Sequence, residues 1–170
     1  MMTIAVLMLL VALNNVTITH QQQALAQTID NIFKRYKNPT YGINIQYPSN
    51  WRIDEGDIYI DDSVTDIVSF IAPVRSDMEG YPPSLYVSID NPPPNLNEKL
   101  NEYLATTIND YNDTPDFKVI ESNTNSILAG KPAYKLVYTD VEDGIDYKTM
   151  EIGTLMGNKV YFITYDAEEL

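Results

Sequence analysis

Residues 133–165 read AYKLVYTDVEDGIDYKTMEIGTLMGNKVYFITY, and this stretch decides the fold. Three runs rich in Tyr, Val, Ile, Leu and Thr, over 133–141, 147–155 and 160–165, have the β-branched and aromatic content of strands. Glu142-Asp143-Gly144 separates the first two runs, and Gly157-Asn158 separates the last two. Gly, Asn and Asp accept positive φ at the least steric cost, so both breaks read as hairpin turns. Strands joined by tight turns are antiparallel, because a parallel pair needs a crossover of a dozen residues or more. The stretch is therefore a three-stranded meander.

Outward from it, the chain is mostly strand. Tyr41, Ile43, Ile45 and Tyr47 alternate with Gly42, Asn44 and Gln46 up to Pro48, and Trp51, after the turn, reads as a core anchor. Further strands are expected over 68–72, 85–89, 118–122 and 126–128, and a short helix over 28–36 with Ile29, Ile32, Phe33 and Tyr36 on one face. One longer helix is plain. Asn95 and Glu98 have the form of a capping box, and Leu96, Leu100, Tyr103, Leu104, Thr107, Ile108 and Tyr111 make one apolar stripe. Strands, then a helix, then strands again is an α+β order, not the alternation of a doubly wound sheet. At the far end, Asp166 followed by Glu169 has the form of a helix start, and the few residues to Leu170 are too short for a helix. A final C-terminal helix is thus expected to be truncated.

The chain has 170 residues, 11 Lys and Arg against 24 Asp and Glu, a net charge of −13, no Cys and a single His. Residues 4–13 (IAVLMLLVAL) are apolar throughout but too short for a span, which takes about 20 residues. Ala24-Leu25-Ala26 has the small-x-small pattern of a signal-peptidase site. Residues 1–26 are accordingly read as a signal peptide, 27–39 as a lead-in segment and 40–170 as one domain, exported to the extracellular side or the outer face of the cell membrane. With His20 in the leader, the remaining chain lacks both His and Cys. That excludes Ser-His-Asp triads, thiol nucleophiles, structural zinc and disulfides. The acidic balance argues against a nucleic-acid or anionic-membrane surface, and no membrane span is expected after the leader.

Three phrases resemble the PsbP-like family, named for the extrinsic protein of the photosystem II oxygen-evolving complex. They are Tyr41-Gly42-Ile43-Asn44-Ile45-Gln46-Tyr47-Pro48 with Trp51, Leu128-Ala129-Gly130-Lys131-Pro132-Ala133-Tyr134 running into Lys135-Leu136-Val137-Tyr138-Thr139, and 157–167 (GNKVYFITYDA). The resemblance implies an α/β/α sandwich around a central antiparallel sheet, closed by a long C-terminal helix. The family's photosynthetic role rests on an N-terminal extension and on basic and His residues. This acidic chain, without His beyond its leader, does not match them, and it looks more like the family's exported, non-photosynthetic members.

Two acidic clusters are candidate calcium ligands, since Ca²⁺ takes six to eight oxygens. Asp140, Glu142, Asp143 and Asp146 surround a turn glycine. Asp57, Asp61 and Asp62 belong to an acidic stretch with Asp54, Glu55 and Asp66 that reads as a loop. The plainer reading of both is solvated charge. Neither has EF-hand spacing. Asn112-Asp113-Thr114 is a glycosylation acceptor pattern beyond the helix. No catalytic residue and no resident cofactor is assigned. The expected function is that of a non-enzymatic accessory or binding domain that docks on, or stabilises, an envelope protein or membrane complex, with a basic partner favoured by charge. The alternatives are a carboxylate-dependent or metal-assisted envelope hydrolase and a calcium-dependent structural module.

Overall fold

Asn38 turns the first hairpin. Its Oδ1 accepts from the amides of Thr40 and Tyr41 at 3.1 and 3.3 Å, and Gly42 takes a φ of 70° that a side chain would resist. On either side of this turn, β1 (Phe33–Asn38) and β2 (Ile43–Pro48) pair antiparallel, with Phe33 opposite Pro48 and Arg35 opposite Gln46. The helix expected over 28–36 is therefore a strand from Phe33 onward. Its residues exchange the local helical bonds for a ladder with residues 43–48, and pairing outweighs the apolar spacing.

The computed structural model describes residues 32–59, 64–92 and 99–169. It divides into two units, Met1–Ser49 and Asn50–Leu170. The second unit holds β3 (Arg52–Tyr59), β4 (Val64–Ile71), β5 (Ser84–Asp90), α1 (Leu100–Tyr111), β6 (Lys118–Leu128), β7 (Lys131–Glu142), β8 (Ile145–Met156) and β9 (Lys159–Glu168). Its strands form one seven-stranded antiparallel sheet in the order β3-β4-β5-β9-β8-β7-β6. The expected meander is present as β7–β8–β9, and Asp143 and Gly144 both take positive φ (53° and 82°) at its first turn.

Four local expectations change. The acidic stretch read as a loop is largely strand: Asp54 sits on β3 opposite Ser69, and Asp66 on β4 opposite Ser88. Val64 within it and Ile53, Ile67 and Val68 at its two ends are partly or fully buried, positions that a solvated loop would not need. The helix begins at Leu100, because Lys99 is extended (φ −134°, ψ 94°); the box of Asn95 and Glu98 lies outside the described residues. Residues 118–128 are one strand, not two. Asn123 folds its Oδ1 onto the amide of Asn125 and the hydroxyl of Ser126, and the ladder shifts register there without ending. Asp166 does not cap a helix: it is paired with Thr149 and Ser84, and the amide of Glu169 still donates to the Asp146 carbonyl at 2.8 Å.

The apolar stripe of α1 packs as expected on the sheet, over β6 and β7. Tyr103 and Leu104 close on Tyr134, Leu136, Tyr138, Val160 and Phe162, with Leu100, Ile108, Tyr111 and Phe117 around them. Trp51 is half-buried and stands outside this cluster. The described residues thus form a mostly antiparallel sheet with one helical layer. Among them, no helix is long and apolar enough to cross a membrane.

Candidate binding site

Strand alternation sends Tyr134, Leu136, Tyr138, Asp140 and Glu142 of β7 to the face that carries α1. Across the ladders, Thr149 and Tyr147 of β8, Asp166 and Thr164 of β9 and Tyr86 of β5 share that face. The helix covers one end of it. At the other end these side chains line an open cavity of about 120 Å³.

One wall is held by the segment between β4 and β5. Tyr147 Oη accepts from the Tyr81 amide at 2.9 Å, and the two rings stack with centroids 6.3 Å apart. Asp166 Oδ1 accepts from Thr149 Oγ1 at 3.0 Å. Asp140 differs, because its Oδ1 is buried and has no hydrogen-bond partner. Burial pushes the Asp140 carboxyl above the usual carboxylate range, and the charges of Asp166 and Glu142 push it further. Burial also raises Asp166, against the opposing hydrogen bonds from Thr149 and the Ala167 amide. The pocket is thus lined by three acids and three tyrosines and contains no basic side chain. A cation placed there relieves repulsion and supplies the missing donor.

Beneath the helix lies a second polar group, closed to solvent. Glu151 is only 2% exposed and accepts from Tyr134 Oη at 2.5 Å and Tyr111 Oη at 3.4 Å, with Thr164 also hydrogen-bonded to it. Burial raises its carboxyl, more than these hydroxyls lower it. Nearby, Asp90 Oδ2 accepts from Tyr103 Oη at 2.8 Å while its Oδ1 is buried without a partner. Burial and the adjacent carboxylates drive the hydroxyls of Tyr103, Tyr111 and Tyr134 well above the usual phenol range, so all three remain donors.

The sequence candidates are dispersed. Asp140 and Glu142 line the cavity, Asp143 sits at the turn with positive φ, and Asp146 pairs with Val141 on the alternate face. Asp61 and Asp62 lie outside the described residues, and Asp57 lies on β3. No group of three His, Cys, Asp or Glu among the described residues is gathered for a metal ion. Asn112 is exposed just past the end of α1. Sequence reasoning missed Asp166, Glu151 and Asp90. The available signal was parity: Asp166 falls in phase with Phe162 and Thr164, and Glu151 in phase with Thr149 and Gly153, on strands whose alternate positions face inward.

A profile for the family described as PsbP-like protein matches residues 1–170. No curated protein matches the chain. Among solved structures, it is similar to the cyanobacterial PsbP (CyanoP) from Synechocystis sp. PCC 6803, with 18% identity, 82% of each chain covered and a TM-score of 0.56. It is also similar to a Pseudomonas aeruginosa protein of unknown function described as a putative regulator (17% identity, 79% of this chain and 82% of that one, TM-score 0.51). A third is the Saccharomyces cerevisiae Ran-binding protein Mog1p (12% identity, 81% and 78% covered, TM-score 0.52). At these identities the likeness is one of fold.

Proposed function

Because this chain belongs to the PsbP-like protein family, we propose that it is a non-enzymatic accessory domain, exported to the outer face of the membrane, that docks on a partner protein. The contact is the open end of the helix-bearing sheet face, which receives a Lys or Arg side chain of the partner. One observation carries this reading: Asp140 Oδ1 is buried without a hydrogen bond in a cavity shared with Glu142 and Asp166. An uncompensated buried carboxylate oxygen is costly, and a partner's ammonium or guanidinium group satisfies it. That the same fold serves a Ran-binding protein in yeast supports protein recognition as its use.

A carboxylate-dependent hydrolase is less well supported. General acid–base work needs two carboxyls shifted apart, and burial here moves Asp140 and Asp166 in the same direction. The test is titration of the full chain with Lys- and Arg-containing peptides at low ionic strength. The double variant Asp140→Asn/Asp166→Asn is expected to bind about 10-fold or more weakly. Failure of the wild-type chain to bind any basic peptide, or equal binding by the variant, overturns the reading.

A further inference from the structure

The β1–β2 hairpin has the opposite charge character to the rest of the chain. Residues 32–49 contain Lys34, Arg35 and Lys37 and not one Asp or Glu, in a protein with 24 acids against 11 bases. All three cations are exposed, and none has an ion-pair partner among the described residues. Alternation makes the hairpin two-faced. Tyr36 and Tyr47 are buried, whereas Phe33, Arg35 and Lys37 of β1 stand with Asn44 and Gln46 of β2 on the other face, all exposed. Phe33 is 40% exposed and its neighbour Ile32 52%, so apolar surface lies open close to the cations.

We propose that this outer face of the hairpin, carrying Phe33, Arg35 and Lys37, docks on an anionic lipid surface. A membrane interface accepts cations at its headgroups and an aromatic ring just below them, and this face offers both within one short strand. The exposed amides of Asn44 and Gln46 add neutral donors for phosphate oxygens. The same surface repels the acidic second unit, so attraction is confined to the hairpin.

The experiment is sedimentation of the full chain with phosphatidylcholine vesicles, with and without phosphatidylglycerol. Any uptake through the apolar run at residues 4–13 occurs on both, so the ratio between the two isolates the hairpin. Anionic vesicles are expected to retain roughly 10-fold or more protein, and added salt should abolish the difference. The double variant Arg35→Gln/Lys37→Gln, on exposed positions of that face, should melt like the wild type and lose the preference. Phe33→Ser should keep the preference with weaker total binding. Equal partition onto both vesicles, a preference indifferent to salt, or a double variant that keeps it overturns the proposal. So does retention on a polyglutamate resin without retention on vesicles, which would assign the face to an acidic protein.

Discussion

The ring of Tyr134 lies across the backbone of Gly153. A Cβ at Gly153 would stand 2.6 Å from the Tyr134 Cζ and 2.7 Å from its Oη, and Tyr134 is fully buried with its hydroxyl on Glu151. The two residues are directly opposite across β7 and β8. The missing side chain of one is the seat of the other. Gly153→Ala is therefore expected to destabilise the fold by about 2–3 kcal/mol, read from urea unfolding. Combining it with Tyr134→Leu should cost clearly less than the sum of the single changes, since the smaller side chain vacates the seat.

Glu151 gives the stability a pH dependence of known sign. Its folded carboxyl is raised by burial, so the unfolded state releases its proton first as pH rises. The contribution to stability is fully present below the unfolded carboxylate range and is lost as pH climbs through the raised folded value. Asp66, Asp140 and Asp166 are raised too and act in the same direction. The urea midpoint should rise as the solution is acidified from neutral toward the ordinary carboxylate range. In Glu151→Gln that rise should be smaller, because an amide cannot titrate yet still accepts from Tyr134. A midpoint that falls steadily over the same window would contradict this.

Tyr103 anchors the first turn of α1 to the end of β5 through the Oη–Asp90 Oδ2 bond. The other oxygen of Asp90 is already buried without a partner. Tyr103→Phe leaves the carboxylate with no donor from the helix and should cost about 2 kcal/mol, more than a surface hydroxyl would. Hydrogen exchange should localise the loss to residues 100–111.

The cavity acids predict how recognition of a basic partner varies with pH. Asp140 and Asp166 are partly protonated at pH values where free carboxylates are not, so affinity for a Lys- or Arg-bearing peptide should increase as pH rises through their raised values. Asp166→Asn should flatten that profile. It should also leave thermal stability unchanged or slightly higher at neutral pH, since it removes a charge that repels Asp140.

Much of the second unit was legible. The meander, its two turns and the stripe of α1 follow from alternation, positive-φ residues and helical spacing, and these signals are local. The misreadings share a cause. Phe33 and Tyr36 carry helical spacing, Asp54 and Glu55 carry loop composition, and Asp166 carries the form of a cap, yet each is settled by a partner strand far along the chain: Phe33 by Pro48, Asp54 by Ser69, Asp166 by Ser84. Of the candidate site, only Asp140 and Glu142 were in view. Asp166 reaches the same cavity through the β8–β9 register, which puts it beside Thr149, and clustering along the sequence cannot show that.

The placement of β9 has a consequence for synthesis. Although it is the ninth strand in chain order, it lies in the middle of the sheet, between β5 and β8, and Ser84 waits for Asp166. Until that segment has left the ribosome, β3–β5 and β6–β8 are two separate half-sheets, each with an unpaired edge. Closure of the sheet therefore waits for a pairing that spans much of the chain, which slows it, and until then the open edges are templates for wrong pairing.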